Sequence, residues 1–205
     1  MQEMPIKDFQ SEKNDFLKRL RTHTQPLHTG LEQHPISTSL LHPQVSQGDY
    51  IRYLQIMHEV VSHFEKSVFP QLASFVDDID QRRKTGWLEQ DLRDLGNSPG
   101  EIPQQSVDPS PSDTTIGYLM GKMYVLEGST LGGTVIYKQL QPILGFTPEK
   151  GGKYFFGYGP KTGSMWKSFI DKLSALAIDG NESENILKGA SGQFLAMQAF
   201  FDTRL

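Results

Sequence analysis

The chain has 205 residues, of which 37% are hydrophobic and 21% charged, so it contains enough apolar material for a sizeable core. Its formal net charge of −4 argues against nucleic acid as the main partner, since nucleic-acid-binding domains are usually basic. The lack of cysteine excludes disulfides, cysteine nucleophiles and zinc–thiolate sites, and no apolar run reaches the roughly 18 residues of a membrane span. The first five residues carry no signal pattern, so we expect a cytoplasmic protein.

Apolar residues recur at helical spacing through most of the chain. The first predicted helix has its apolar face from Phe16 to Leu31, and Pro26 should bend or split it. A second helix is predicted from Asp49, an acidic cap, with Pro70 as a kink near its end.

The second half of the chain is interrupted by one irregular stretch. A shorter helix is predicted over about 81–95, and a Pro- and Ser-rich internal loop occupies 96–113. After it we expect a long helix, a Gly-rich bend and two closing helices, near 112–144, 145–163, 162–178 and 182–201. Apolar and polar residues do not alternate over any sustained run. The sequence therefore predicts an all-α, single-domain helical bundle over residues 1–205.

Glycines recur along one face of the long helix, at Gly117, Gly121, Gly128 and Gly132. Three glycines among six residues of this segment cost a helix roughly 2–3 kcal/mol relative to alanine. Two interpretations are open. The glycines allow tight packing between helices, or they form a groove in which the backbone approaches a flat ligand. The adjacent pair Gly132 and Gly133 favours the ligand, because ordinary packing rarely needs two such residues side by side.

The histidines give a second indication, because all six lie in the first 63 residues. His28 is the best placed to bind a metal, since Thr24 and Glu32 lie four residues to either side on the same helical face. Glu32 could accept a hydrogen bond from the ring nitrogen that does not bind the metal. Arg21, about 20° away in azimuth and about 10 Å along the axis, could reach a carboxylate at the edge of a porphyrin.

Other metal sites fit the sequence less well. His58 and His63 resemble the histidine pair of a zinc-protease helix, but the second comes one residue late, so the rings point roughly 140° apart. No Glu-x-x-His pair is present, which removes the usual di-iron carboxylate signature. Glu59 and His63, four residues apart, remain an alternative pair of ligands.

Two motifs together resemble the heme oxygenase family, most closely its bacterial branch, including members associated with bacteriophytochromes. The first is Leu20-Arg21-x-x-Thr24-x-x-x-His28-x-x-Leu31-Glu32. The second, about a hundred residues later, is Glu127-Gly128-Ser129-Thr130-Leu131-Gly132-Gly133. A later stretch over 156–169, which begins Phe-Gly-Tyr-Gly, is also similar to that branch. The resemblance covers about residues 12–203.

The resemblance implies an all-helical fold that sandwiches heme between a proximal and a distal helix. His28 matches the proximal iron ligand, Glu32 its hydrogen-bond partner, and Arg21 a basic residue near a heme propionate. On the distal side, Gly128 and Gly132 match the glycines that let backbone approach the porphyrin. The resemblance thus implies Gly128, Ser129 and Gly132 as catalytic residues, and Thr24 and Gly133 as further heme-binding residues. The implied reaction opens heme at a meso carbon with O2 and electrons, giving biliverdin, CO and free iron.

The same resemblance implies redox partners for the reaction and leaves one alternative function open. Electrons would come from a ferredoxin or a flavoprotein reductase, and a bacteriophytochrome system could use the biliverdin. Mammalian-type members have an aspartate where this chain has Ser129, and Lys167 and Lys172 are candidate propionate partners. A non-catalytic heme carrier of the same fold is the alternative function. Thiamin-degrading enzymes share the architecture but use a cysteine nucleophile, which this chain lacks.

Overall fold

The computed structural model describes residues 6–99 and 114–205, and for residues 6–8 only the backbone. Within these ranges the chain forms helices and no β-strand, which confirms the all-α prediction. The α-helices are α1 Ile6–Glu32, α2 Pro35–Leu40, α3 Gln47–Ser67, α4 Phe69–Leu72, α5 Thr85–Asp94, α6 Ile116–Leu144, α7 Lys153–Phe156, α8 Thr162–Asp179 and α9 Ser183–Asp202. Two 3₁₀ turns, Ile79–Arg82 and Gly159–Lys161, precede α5 and α8.

The helix ends follow from local side-chain chemistry. Ser46, not Asp49, caps α3: the Asp49 amide donates to the Ser46 hydroxyl, and the Asp49 carboxylate accepts from the Ser46 amide. Thr115 caps α6 by accepting a hydrogen bond from the Tyr118 amide. The same helix ends at Gly145, whose φ of +71° is the left-handed conformation that glycine adopts without strain.

Several short elements were not predicted. The helices α2, α4 and α7 each have six residues or fewer, too few for a periodic pattern. Pro70 lies in the first turn of α4 rather than kinking α3, because a helix start does not need the missing N–H. Pro26 lies inside α1 without splitting it. Most of the internal loop predicted over 96–113 lies outside the described residues.

The contact between α6 and α9 explains half of the glycine pattern. A Cβ atom on Gly121 would lie 2.1 Å from the Ile186 carbonyl oxygen, and one on Gly189 would lie 1.9 Å from the Tyr118 carbonyl oxygen. A Cβ on Gly117 would lie 2.3 Å from a carboxylate oxygen of Glu182. These glycines therefore serve close helix packing, and the predicted ligand groove does not extend to Gly117 and Gly121.

The helix pair α6 and α9 is central to the bundle. The first helix, α1, packs against α8 and α9, while α6 also packs against α7 and α8. Ion pairs fasten α1 to both neighbours, from Lys13 to Asp171 and from Arg19 to Glu184. In the described part of the chain, no helix is long and apolar enough to cross a membrane.

Candidate functional site

His28 stands on α1 with its side chain half exposed and its Nδ1 atom 3.2 Å from the Glu32 carboxylate. This is the pairing that four-residue spacing predicts. Because the Glu32 carboxylate stands beside Nδ1, Nε2 is the nitrogen left for coordination. The ring also meets the edge of Phe194 on α9, with centroids 5.8 Å apart and planes at 75°. The imidazole is thus oriented from two sides.

The first helix meets α6 one turn before His28. The Thr24 side chain is buried, donates to the Leu20 carbonyl at 2.9 Å, and lies close to the Tyr124 hydroxyl of α6. Burial raises the pKa of Tyr124, while the positive charge of Arg21 and the nearby Thr24 hydroxyl act in the opposite direction. Arg21 and Thr24 therefore both lie near α6.

The contact between Thr24 and Tyr124 determines which faces of α1 and α6 are turned toward each other. Thr24 and His28 are four residues apart on α1, and Tyr124 and Gly128 are four apart on α6, so each pair shares a helical face. The contact between Thr24 and Tyr124 therefore places the His28 face and the Gly128 face on the same side of the molecule.

The glycines on this face of α6 differ from those that pack on α9. A Cβ on Gly128 would lie 3.6 Å from the Trp166 ring, an ordinary contact, and a Cβ on Gly132 would have no other described atom within 4 Å. The Trp166 indole of α8 also packs beside Tyr124, with ring centroids 5.6 Å apart. No neighbouring helix requires glycine at these two positions. The space beside them is available to a ligand.

Ser129 and Gly133 lie about 100° further around α6, towards α7. The Ser129 hydroxyl donates to the Leu126 carbonyl at 2.9 Å and lies near the Tyr154 hydroxyl, whose pKa burial raises well above its usual value. A Cβ on Gly133 would lie 3.2 Å from the Phe155 ring. The structure thus brings these two residues to the contact between α6 and α7.

A buried ionic cluster behind α6 was not predicted. The Glu127 carboxylate accepts hydrogen bonds from Arg82, Lys84 and Tyr158 at 2.6, 2.5 and 2.9 Å. The two cations lie more than forty residues before Glu127, so helical spacing cannot relate them. The only sequence signal was that Glu127 precedes Gly128 directly in an otherwise uncharged segment.

The remaining candidates have other partners. Lys167 forms an ion pair with Asp171 at 2.6 Å, and Lys172 forms one with Asp77 at 2.9 Å. Glu59, the alternative metal ligand, is paired with Arg204. Across residues 6–99 and 114–205, no three His, Cys, Asp or Glu side chains are grouped to hold a metal ion.

An open groove of about 610 Å³ runs along the C-terminal half of α1 and shares Arg21 with the candidate site. Its lining comes from this helix and the residue that follows it: Arg21, Thr22, Gln25, Pro26, Thr29, Gly30 and Gln33. A groove lined by one continuous stretch of chain cannot enclose both faces of a flat ligand. The pair of faces on α1 and α6 is therefore the better candidate site.

Comparison with solved structures identifies the fold. The fold is similar to the NO- and CO-bound heme oxygenase of Neisseria meningitidis, with a TM-score of 0.71 and 24% identity over 91% of this chain and 92% of that one. It is also similar to the heme oxygenase of Leptospira interrogans, with a TM-score of 0.68 and 17% identity over 92% of this chain and 98% of that one. The fold is therefore that of the heme oxygenases.

Sequence comparison extends the likeness. The heme oxygenase of Xanthomonas campestris pv. campestris is 28% identical over 154 residues, which cover 73% of this chain and 87% of that protein. The heme oxygenase PigA of Pseudomonas aeruginosa is 28% identical over 127 residues, which cover 62% of this chain and 59% of PigA. The heme oxygenase family model matches residues 14–203. The chain belongs to the heme oxygenase family, whose members cleave heme to biliverdin, and the family predicted from the two motifs is confirmed.

Proposed function

We propose that this protein binds heme between α1 and α6, with His28 as the proximal iron ligand, and opens the ring at a meso carbon to give biliverdin, CO and free iron. The observation that carries the proposal is that His28, paired with Glu32 at 3.2 Å, and the open backbone at Gly132 lie on helix faces that the neighbouring Thr24 and Tyr124 bring to the same side. Bound heme supplies the iron that takes up O2. The protein supplies position, access and hydrogen bonds.

On the proximal side, Glu32 holds His28 through Nδ1 at 3.2 Å. A carboxylate in this position fixes the tautomer and the ring orientation, and it raises the basicity of the coordinating nitrogen. The Phe194 edge supports the same ring from α9. Arg21, near the α6 contact at Tyr124, is the cation that we assign to a heme propionate.

On the distal side, Gly128 and Gly132 would present bare backbone to the porphyrin. The open space at Gly132 and the indole beside Gly128 support this assignment. Ser129 is engaged with Leu126 and Tyr154, so its role is to fix the backbone between the two glycines rather than to act as an acid. With Gly133 against Phe155, it holds the distal segment to α7.

The reaction also needs electrons and a destination for its product. We assign electron delivery to a ferredoxin or a flavoprotein reductase, because the resemblance of the two motifs to the heme oxygenase family implies a separate redox partner. A bacteriophytochrome system as the user of biliverdin rests on the resemblance of the two motifs to that branch.

Turnover of hemin tests the proposal. Purified protein with hemin, O2 and a ferredoxin–reductase couple should convert the heme spectrum to that of biliverdin, and His28→Ala should abolish this conversion. The matched control is His23→Ala, which removes an exposed histidine from the same helix and should leave turnover unchanged. Heme that stays intact with several electron donors would contradict the proposal and indicate a heme carrier.

A further inference from the structure

Glu127 is a buried carboxylate beside the first glycine of the candidate distal face. Its side chain is 2% exposed, and those of Arg82 and Lys84 are 1% and 5% exposed. Arg82 Nη1 lies 2.6 Å from one carboxylate oxygen, while Lys84 Nζ lies 2.5 Å from the other. The Tyr158 hydroxyl donates to the same carboxylate at 2.9 Å. The two carboxylate oxygens thus accept from three buried donor groups.

Burying three charged groups costs solvation, and a well-packed apolar cluster would stabilise the fold equally well or better. What an ionic cluster adds is geometry, because each hydrogen bond fixes a distance and a direction. Burial and the Glu127 charge raise the pKa of Tyr158, so its phenol stays protonated as a donor. We therefore interpret the cluster as a set of interactions that positions α6, rather than as one that stabilises the fold.

The position that it fixes is the rotation of α6 about its own axis. If Gly128 defines zero, helical geometry places Gly132 at about 40°, Thr130 at about 200° and Glu127 at about 260°. Thr130 is held on the same rear side, because a Cβ on Gly157 would lie only 2.7 Å from its methyl group. Gly157 directly precedes Tyr158, so one turn of chain holds α6 at two points behind the glycine face.

Arg82 extends the constraint to the other wall of the site. Both of its terminal nitrogens donate to the Met165 carbonyl at 3.3 Å, and Asp78 receives its remaining donors at 2.8 and 2.9 Å. Met165 directly precedes Trp166, the indole that stands against Gly128. One guanidinium therefore ties the carboxylate behind α6 to the backbone beside the indole in front of it.

Lys84 is itself held by a second buried carboxylate. Its backbone amide donates to Glu65 of α3 at 2.5 Å, and the Thr85 amide and hydroxyl donate to Glu65 at 3.1 and 2.8 Å. The cluster is thus anchored to a helix that does not line the candidate site.

We propose that Glu127, held by Arg82, Lys84 and Tyr158, is a positioning residue that fixes the height and rotation of the Gly128–Gly132 backbone over bound heme, and so determines which meso carbon is opened. This inference rests on the proposed function. It adds an assignment for a residue that touches neither the substrate nor the iron ligand.

Two variants test it, Glu127→Gln and Tyr158→Phe. The first removes the charge at nearly constant shape, and the second removes only the hydroxyl and keeps the ring against Trp87, where the centroids are 5.3 Å apart. The matched control is Leu54→Ala, a fully buried residue of α3 that makes no bond to the cluster, and it measures the effect of lost stability alone. All proteins are compared as their ferric heme complexes.

Two readouts separate positioning from stability. The first is the ratio of the affinities for imidazole and cyanide, a bulky and a small ligand of the open iron position, which reports distal clearance without turnover. The second is the isomer composition of the biliverdin formed. We expect both cluster variants to bind heme, to shift the affinity ratio at least threefold and to give a mixture of isomers where the wild type gives one predominant isomer. Leu54→Ala should change neither.

Unchanged ligand ratios and isomers in Tyr158→Phe and in Glu127→Gln would overturn the inference. If Glu127→Gln does not fold, Tyr158→Phe alone decides. Failure of the proposed function would look different, because the wild type would then bind heme without opening it, and the ligand ratio would still report on positioning.

Discussion

Replacing Gly132 with alanine tests whether this glycine is needed for ligand binding or for helix packing. A Cβ on Gly132 would have no described neighbour within 4 Å, so the folded protein without ligand has room for it. Alanine is favoured over glycine inside a helix by about 1 kcal/mol. For a chain of this length that corresponds to a rise in Tm of about 2–4 °C. If heme lies against this backbone, the added methyl group displaces it, and we expect turnover to fall at least about tenfold, or about 1.4 kcal/mol in the barrier.

Gly121→Ala is the matched control for this prediction. There the Cβ would lie 2.1 Å from the Ile186 carbonyl oxygen, so overpacking should cost about 1–3 kcal/mol of stability. The activity of each folded molecule should be retained. Thermal unfolding of the apoprotein by circular dichroism, heme titration and turnover give the three quantities for each variant. A stabilised Gly132→Ala protein with full turnover would refute the assignment of Gly132 to the heme site.

Three further predictions concern single side chains. Burial raises the pKa of Asp91 from 3.8 to about 6, so the folded chain binds this proton more tightly than the unfolded chain does. The free energy of unfolding of the wild type, relative to that of Asp91→Asn, should therefore rise by about 1 kcal/mol as the pH falls from 7 to 5. Urea unfolding at each pH measures this difference, and a difference that does not change with pH would contradict the prediction. Glu32→Gln should lower the turnover rate or the heme affinity by about 10-fold or more and leave the fold intact. An unchanged turnover rate and heme affinity would show that this carboxylate does not orient His28. Tyr154→Phe removes a buried hydroxyl near Ser129 and should cost about 1 kcal/mol of stability in urea unfolding; loss of heme binding instead would place the phenol in the site.

The long helices were predictable because an amphipathic face repeats over several turns. The pattern from Phe16 to Leu31 and those of the two closing helices identified α1, α8 and α9, with ends within a few residues except at the start of α1. The short helices α2, α4 and α7 could not be found in this way, since one turn or two carries no period. Their ends depend on proline and on tertiary contacts.

The candidate site was predictable in part. His28 and Glu32 follow from spacing within one helix, and the structure brings them together as expected. The glycines of α6 could not be divided by spacing, because Gly121 and Gly128 share a face in sequence and differ only in the helix that stands opposite. That information is tertiary.

The cluster around Glu127 shows the same limit more clearly. Its cations come from a basic run at 82–84, which on its own resembles a solvated segment. Only the fold reveals that Arg82 and Lys84 point inward to one carboxylate while Arg83 remains about half exposed. Long-range charge pairs of this kind leave no periodic signal in a single sequence.

The most direct test of the central claim is the absorption spectrum of the ferric heme complex of His28→Ala, recorded with and without added imidazole. We expect the variant to lose the Soret band of the wild-type complex, and imidazole to restore it by occupying the space left by the side chain. A variant with the wild-type Soret band in the absence of imidazole would show that another residue holds the iron, and would contradict the assignment of the site to the faces of α1 and α6.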